Sequence, residues 1–255
     1  MNARKTPKQQ EIEQREELLV KTAGQILLSE GVAALSMERL AEELNTAKGT
    51  IYNHFPNREE LLLAMAVRAI DKRQEMFDAA SMSKGKPRER MLAIAVACEI
   101  YVRSYPLYFA VEGTVRHASI WDRCTEERRE FMRQREQRCV SLVSGIVRSG
   151  VANGDLELPL GMRPEELTLS LWALTYGTHI IDLSSPSLRD IGIESTWRTV
   201  RMGSLHMING FNWQPLWGPE EHNDRIVQIC EDVFPNETPL PRSTSDIALK
   251  SESAG

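Results

Sequence analysis

Between Asn45 and Leu62 the chain reads NTAKGTIYNHFPNREELL. Within it, Lys48, Gly49, Thr50, Tyr52, Asn53 and His54 bring together a mobile cation, a position without a side chain, a hydroxyl, a phenol, an amide and an imidazole. The set supplies donors suited to phosphate oxygens and base edges. Lys48 offers a charge. Thr50 offers a hydroxyl to phosphate or a methyl to thymine. Tyr52, Asn53 and His54 offer hydrogen bonds that fix register on a phosphate backbone. Gly49 would cost ~1 kcal/mol relative to Ala in an ordinary helix interior. It makes sense where backbone must come close to a base edge or a phosphate.

Such groups act only if the segment carrying them is held with one edge outward. Ile12, Leu18, Leu19, Ala23, Ile26 and Leu27 recur at three- and four-residue spacing, which predicts an amphipathic helix from Glu11, after a loose basic arm over residues 1–10. Gly31 stands where a C-terminal cap is expected. Ser36 is the expected N-cap of a short helix ending near Leu44, with Glu38 in its first turn. Three or four residues later a second short helix runs to Phe55. Its Ile51 and Phe55, four apart, face inward. Pro56 breaks it. Asn57 then caps a further helix, with Glu60 three residues on. Two short helices joined by a tight turn and braced on both sides make a helix-turn-helix unit. The second of them is placed to enter a DNA major groove.

Composition neither supplies nor forbids this. The 255 residues are 42% hydrophobic and 26% charged, a normal globular balance, with a formal net charge of -5. Over residues 1–75, 11 Lys and Arg face 12 Asp and Glu, so DNA binding must come from a local patch of donors rather than a bulk field. Cys98, Cys124, Cys139 and Cys230 are scattered and show no C-x-x-C pairing. That argues against a zinc site and a disulfide framework and suits a reducing cytosol. The start of the chain does not read as a signal peptide, and no run approaches the ~20 apolar residues of a membrane span. A cytoplasmic protein with no membrane partner, no cofactor and no metal is expected.

The remainder reads as helices: after Pro87, from Pro106 to about Val115, from about Asp122 to Ser149, from Glu165 to Leu183, from about Ile193 to Phe211 and from about Pro219 to Val233. No strand alternation or repeat is found. The expected class is all-α, with a three-helix DNA-binding domain over residues 11–57, a helical effector-binding and dimerisation domain over 58–234, and a disordered Pro/Ser/Thr-rich tail over 235–255.

The run LSMERLAEELNTAKGTIYNHFPNREELL resembles the DNA-binding signature of the TetR family of transcriptional regulators. The family's Lys-Gly-Thr/Ser-aliphatic-Tyr-x-His/Tyr-Phe pattern appears as Lys48 to Phe55. Its preceding Ile/Leu-Ala-x-x-Ala/Leu-Gly run appears as Leu40 to Asn45, and its following Phe-x-x-Lys-Glu-x-Leu run as Phe55 to Leu61. Roughly residues 15–70 are covered. Asn45 replaces the usual turn glycine and tolerates the left-handed conformation. Ala47 replaces a small hydroxyl residue, which leaves Thr46 as the expected N-cap. Arg58 replaces a commoner Lys. The resemblance implies DNA contacts at Ser36, Thr46, Lys48, Gly49, Thr50, Tyr52, Asn53, His54 and Arg58. Of these Ser36, Tyr52, His54 and Arg58 go to phosphate, Lys48, Thr50 and Asn53 to base edges, and Gly49 permits close approach.

Two reading units on a palindromic operator require a homodimer. In the late helices Leu167, Leu171, Leu174, Thr178 and Ile181 fall on one stripe, as do Trp197, Val200, Arg201, Ser204, Leu205 and Ile208; by resemblance these helices pair across the dimer. Aromatic and polar residues mingle from Tyr101 through His117 to Trp121 and again from Trp172 to His179, as at small-molecule sites. An effector of unknown identity is expected at Phe109, Trp121, Trp172, Tyr176 and His179. The function expected is a DNA-binding regulator, a repressor released from its operator by that effector. The alternatives are a helical adaptor that has lost DNA binding, and an enzyme. For the latter Asp182, Ser184, His179, Glu112 and Cys124 offer suitable groups, but none lies in a recognised catalytic motif, so no enzymatic activity is expected.

Overall fold

The computed structural model describes residues 6–116, 118–185 and 188–241. Every regular element among them is helical, as the sequence predicts. The chain divides into two compact units, Met1–Lys72 with Tyr105–Glu136 and Arg73–Ser104 with Gln137–Gly255.

In the first unit α1 runs from Pro7 to Glu30. It starts four residues ahead of Glu11 because Thr6 caps it: Gln9 N donates to Thr6 Oγ1 and Thr6 N donates to Gln9 Oε1, a capping box with Pro7 at the first helical position. Gly31, at φ 85, ends it. Ser36 Oγ accepts from Arg39 N at 3.0 Å and caps α2, Met37–Glu43. Asn45 makes the turn at φ 46, and Thr46 N donates to Ala41 O. Then α3 runs from Lys48 to Tyr52. Asn57 Oδ1 accepts from Glu60 N at 2.8 Å to open α4, Arg58–Ser81. The Glu60 carboxylate does not complete a capping box; it goes to Thr125 and Arg128.

Leu19, Ala23, Leu40, Ile51, Phe55 and Leu61 are fully buried and form the small core beneath α3. Further on, α5 spans Pro87–Ser104, α6 Pro106–Val115, α7 Ala118–Trp121 and α8 Glu126–Ala152. Gly24 lets α1 and α6 meet: a Cβ there would sit 2.7 Å from Leu107.

The second unit holds α5, the rest of α8, α9 (Pro164–Ser184), α10 (Thr196–Gly210) and α11 (Pro219–Val233). Its centre includes charged groups that are ion-paired or hydrogen-bonded, as burial demands. Glu99, 4% exposed, accepts from Arg201 Nε and Nη2 at 2.8 Å each and from Arg103 Nε at 3.0 Å. Arg88 is equally buried and donates to Trp213 O and Asn209 Oδ1, with its guanidinium 4.4 Å from the Trp217 ring centre. Burial pushes its pKa down to about 10.

The apolar stripe read on α9 is split, its first half facing inward while Ile181 is 51% exposed. Leu167 and Leu171 are buried, and Leu174 packs 3.4 Å from where a Gly203 Cβ would lie on α10. Val200, Ser204, Leu205 and Ile208 are buried too. The outward face of α9 also carries Leu169, Trp172, Tyr176, Ile180 and Leu183, of which Leu169 and Leu183 are 57% and 66% exposed.

The segment expected to be disordered begins in contact with the unit: Leu240 is buried and Pro241 O accepts from Arg201 Nη1 at 3.1 Å. Residues 242–255 lie outside the described residues. Among the described residues no single helix is long and apolar enough to cross a membrane.

Candidate nucleic-acid interface

Local chemistry sets the orientation of α3. Ile51 and Phe55 are 0% and 1% exposed, so the helix is pinned by one face. Lys48, Gly49, Tyr52 and Asn53 are exposed on the other, and Thr50 is half-buried. A Cβ built on Gly49 would meet nothing within 4 Å. The glycine therefore answers no packing need of the protein itself.

Lys48 Nζ lies 3.2 Å from Glu38 Oε1, with both side chains about half exposed. Pairs of this kind contribute roughly 0–1 kcal/mol and are readily exchanged for another anion. The Glu38 carboxyl is held below its ordinary pKa by a backbone hydrogen bond at its own position and then by Lys48. His54 Nδ1 stands 3.8 Å from Glu16 Oε1.

Thr46 does not cap α3. The helix opens at Lys48, so the cap position falls on Ala47, which has no side-chain acceptor. The Thr46 hydroxyl instead accepts from Arg15 Nη2 at 3.3 Å. Arg58 sits half-buried and donates from Nη2 to Val32 O, bracing the 3-10 turn Val32–Ala34. Ser36 spends an oxygen lone pair on Arg39 N and keeps its hydroxyl proton to donate. The exposed edge of α3 is thus made by Lys48, Gly49, Tyr52 and Asn53, while Thr46 and Arg58 are tied to α1 and to that turn. The roles of Arg15 and Glu38 beside this edge carry no mark in the sequence, because their partners lie 31 and 10 residues away.

The expected effector residues fall in both units. Phe109 on α6 is buried and Trp121 at the end of α7 is half-buried, both in the first unit. In the second, Trp172 and Tyr176 meet edge-on at 6.2 Å on the outward face of α9, and His179, 3% exposed, packs 4.3 Å from the Trp197 ring. His117 lies outside the described residues. A cavity of about 680 Å³ in the second unit is walled by Met82, Lys84, Leu92, Arg225 and Ile229 among others, and none of the five expected residues lines it. Among the described residues no group of His, Cys, Asp and Glu could hold a metal ion.

A short helix pinned by one face, exposed on the other and set behind a second helix across a left-handed Asn turn defines a helix-turn-helix DNA-binding protein. Residues 19–65 match the family of bacterial regulatory proteins of the tetR type, so the helix-turn-helix of the first unit is a TetR-type DNA-binding domain. No curated protein sequence matches the chain significantly.

Solved structures share the fold. A TetR/AcrR-family regulator from Thermobifida fusca is similar at 23% identity and a TM-score of 0.51, over 73% of this chain and 96% of that one. PfmR, a TetR-family regulator from Thermus thermophilus, is similar at 18% identity and a TM-score of 0.55, over 74% and 95%. AibR, solved with isovaleryl coenzyme A and operator DNA, is similar at 22% identity and a TM-score of 0.51, over 65% and 86%.

Proposed function

We propose that the protein is a cytoplasmic homodimeric repressor that binds a palindromic operator through α3 and leaves it when a small molecule binds the helical domain. The carrying observation is the outward edge of α3, Lys48, Gly49, Tyr52 and Asn53, opposite buried Ile51 and Phe55. Lys48, Thr50 and Asn53 read base edges; Ser36, Tyr52 and His54 position the helix on phosphates. AibR, which shares the fold, was solved with both a ligand and operator DNA, and this supports a ligand-gated mechanism. Effector binding controls DNA affinity only through a difference in affinity for two shapes. Phe109 and Trp121 within the first unit, and Trp172, Tyr176 and His179 within the second, remain the proposed effector contacts, and α4 is the proposed lever.

Gel retardation with duplex DNA from upstream of the protein's own gene, across a salt series, tests DNA recognition. The parent should bind that duplex in preference to a scrambled one, and binding should weaken steeply with salt as phosphate contacts release counterions. Lys48→Ala and Tyr52→Ala should each weaken binding roughly tenfold, with helix content and assembly state unchanged. Parent-like affinity in both variants would remove them from the interface.

The dimer is proposed to form through Leu169, Ile180, Ile181 and Leu183 on the outward side of α9. Exposed apolar side chains grouped on one helix face mark a protein interface. Leu183→Glu, at a 66% exposed position, should shift sedimentation toward monomer with little change in helix content; a variant that sediments as the parent does would place the interface elsewhere.

A further inference from the structure

The start of α8 reaches back to where α3 turns into α4, and both belong to the first unit. Asn57 Nδ2 donates to Arg123 O at 3.1 Å. Arg123 Nη1 lies 3.2 Å from Glu59 Oε1. Glu60 is 2% exposed. One of its carboxylate oxygens accepts from Thr125 N, and the other accepts from Arg128 Nε at 2.6 Å. The Arg128 guanidinium also stands 5.7 Å from the centre of the Phe55 ring, the buried anchor of α3.

With the Glu60 carboxylate buried and the Arg128 side chain 29% exposed, the ion pair adds little stability beyond what an apolar pair would give. What charge adds is direction. The two Glu60 oxygens fix the first turn of α4 against the 125–128 turn, and the planar guanidinium fixes the Phe55 ring at the same point. Between Phe55 and Glu60 the chain makes the bend that sets how α3 projects from α4. Nothing in this cluster belongs to the exposed edge that reads DNA.

We infer that Arg128 is a positioning residue for operator recognition: through Glu60 and Phe55 it holds α3 in the pose that fits base edges. This rests on the DNA-binding reading above. Loss of Arg128 then loosens the pose and lowers sequence-specific binding, while non-specific binding, which depends on phosphate charge alone, persists.

The test uses the full chain. Arg128→Gln alone would strand a buried carboxylate, so the informative variant is Glu60→Gln with Arg128→Gln, a neutral pair. Circular dichroism reports whether it folds. Retardation is measured on duplex from upstream of the protein's own gene and on a scrambled duplex, each across salt.

The expected result is parent-like helix content, unchanged affinity for the scrambled duplex, an unchanged salt slope, and roughly a tenfold loss on the upstream duplex. Arg128→Lys, which keeps the charge but loses the planar guanidinium, should fall between parent and double variant. If the double variant does not fold, Arg128→Lys decides by the same ratio of specific to non-specific affinity. A parent-like ratio overturns the positioning role alone. A parent with no preference for the upstream duplex overturns the DNA-binding reading and the inference with it.

Discussion

Moving the protein from pH 7 to pH 5 should remove about 4 kcal/mol of unfolding free energy, on the order of 2 from each of two buried histidines. His179 and His222 are 3% and 4% exposed. Burial is the main cause that pushes each pKa down to about 4 from an ordinary 6.5. At His222 the nearby Arg201 and Arg88 push the same way; at His179, Asp182 opposes and Arg103 adds to the depression.

The folded protein therefore keeps both imidazoles neutral at pH 5, while the unfolded chain protonates them below about 6.5. The stability is fully present above pH 6.5 and is lost progressively down to pH 4, where the limit is ~3 kcal/mol per group. Ordinary carboxylates titrate below most of this window. Urea unfolding at pH 7, 6 and 5 reads the effect. His222→Gln and His179→Gln should each flatten the pH dependence by about half. A parent midpoint that stays constant over that range would mean that these rings are solvated in solution.

Gly49→Leu should abolish most operator binding, roughly a hundredfold loss, while the free protein becomes no less stable. The two effects come from different surroundings. In the protein alone a side chain at position 49 meets open space, and replacing glycine in a helix contributes up to ~1 kcal/mol. Against a duplex, the same side chain occupies the gap that lets α3 backbone approach. Gly49→Ala should show the same opposition at smaller size. Thermal melts and retardation on the same preparations read both numbers. Parent-like DNA binding by Gly49→Leu would show that this edge stands away from the duplex; joint loss of stability and binding would show that the space around Gly49 is smaller than described.

The helix-turn-helix was legible because its signals are local. Ser36 caps the residue three ahead of it, Asn45 takes the left-handed turn that a short polar side chain tolerates, and Asn57 caps Glu60 N. Each depends on neighbours within four residues, which are present in the sequence itself. The same holds for the burial of Ile51 and Phe55, since helical spacing puts them on one face.

Thr46 marks the limit. Its residue type suits a cap, but Arg15, far back on α1, takes the hydroxyl, and Ala47 occupies the cap position. Glu60 likewise carries the residue type of a capping box, yet its carboxylate serves Thr125 and Arg128, 65 and 68 residues on.

In the second unit the ambiguity is of another kind. Helix α9 is apolar on nearly every side, so periodicity offers two stripes and cannot rank them. Packing against α10 chose Leu167, Leu171 and Leu174 for the inside and left Leu169, Trp172, Ile180 and Leu183 facing out. Sequence alone determined the helices, the caps at Ser36 and Asn57 and the exposed face of α3, because those follow from short-range hydrogen bonding and the 3.6-residue turn. Which apolar face is buried, and which distant charge meets which, was decided only by the tertiary fold, because such pairs form between segments whose proximity no local pattern encodes.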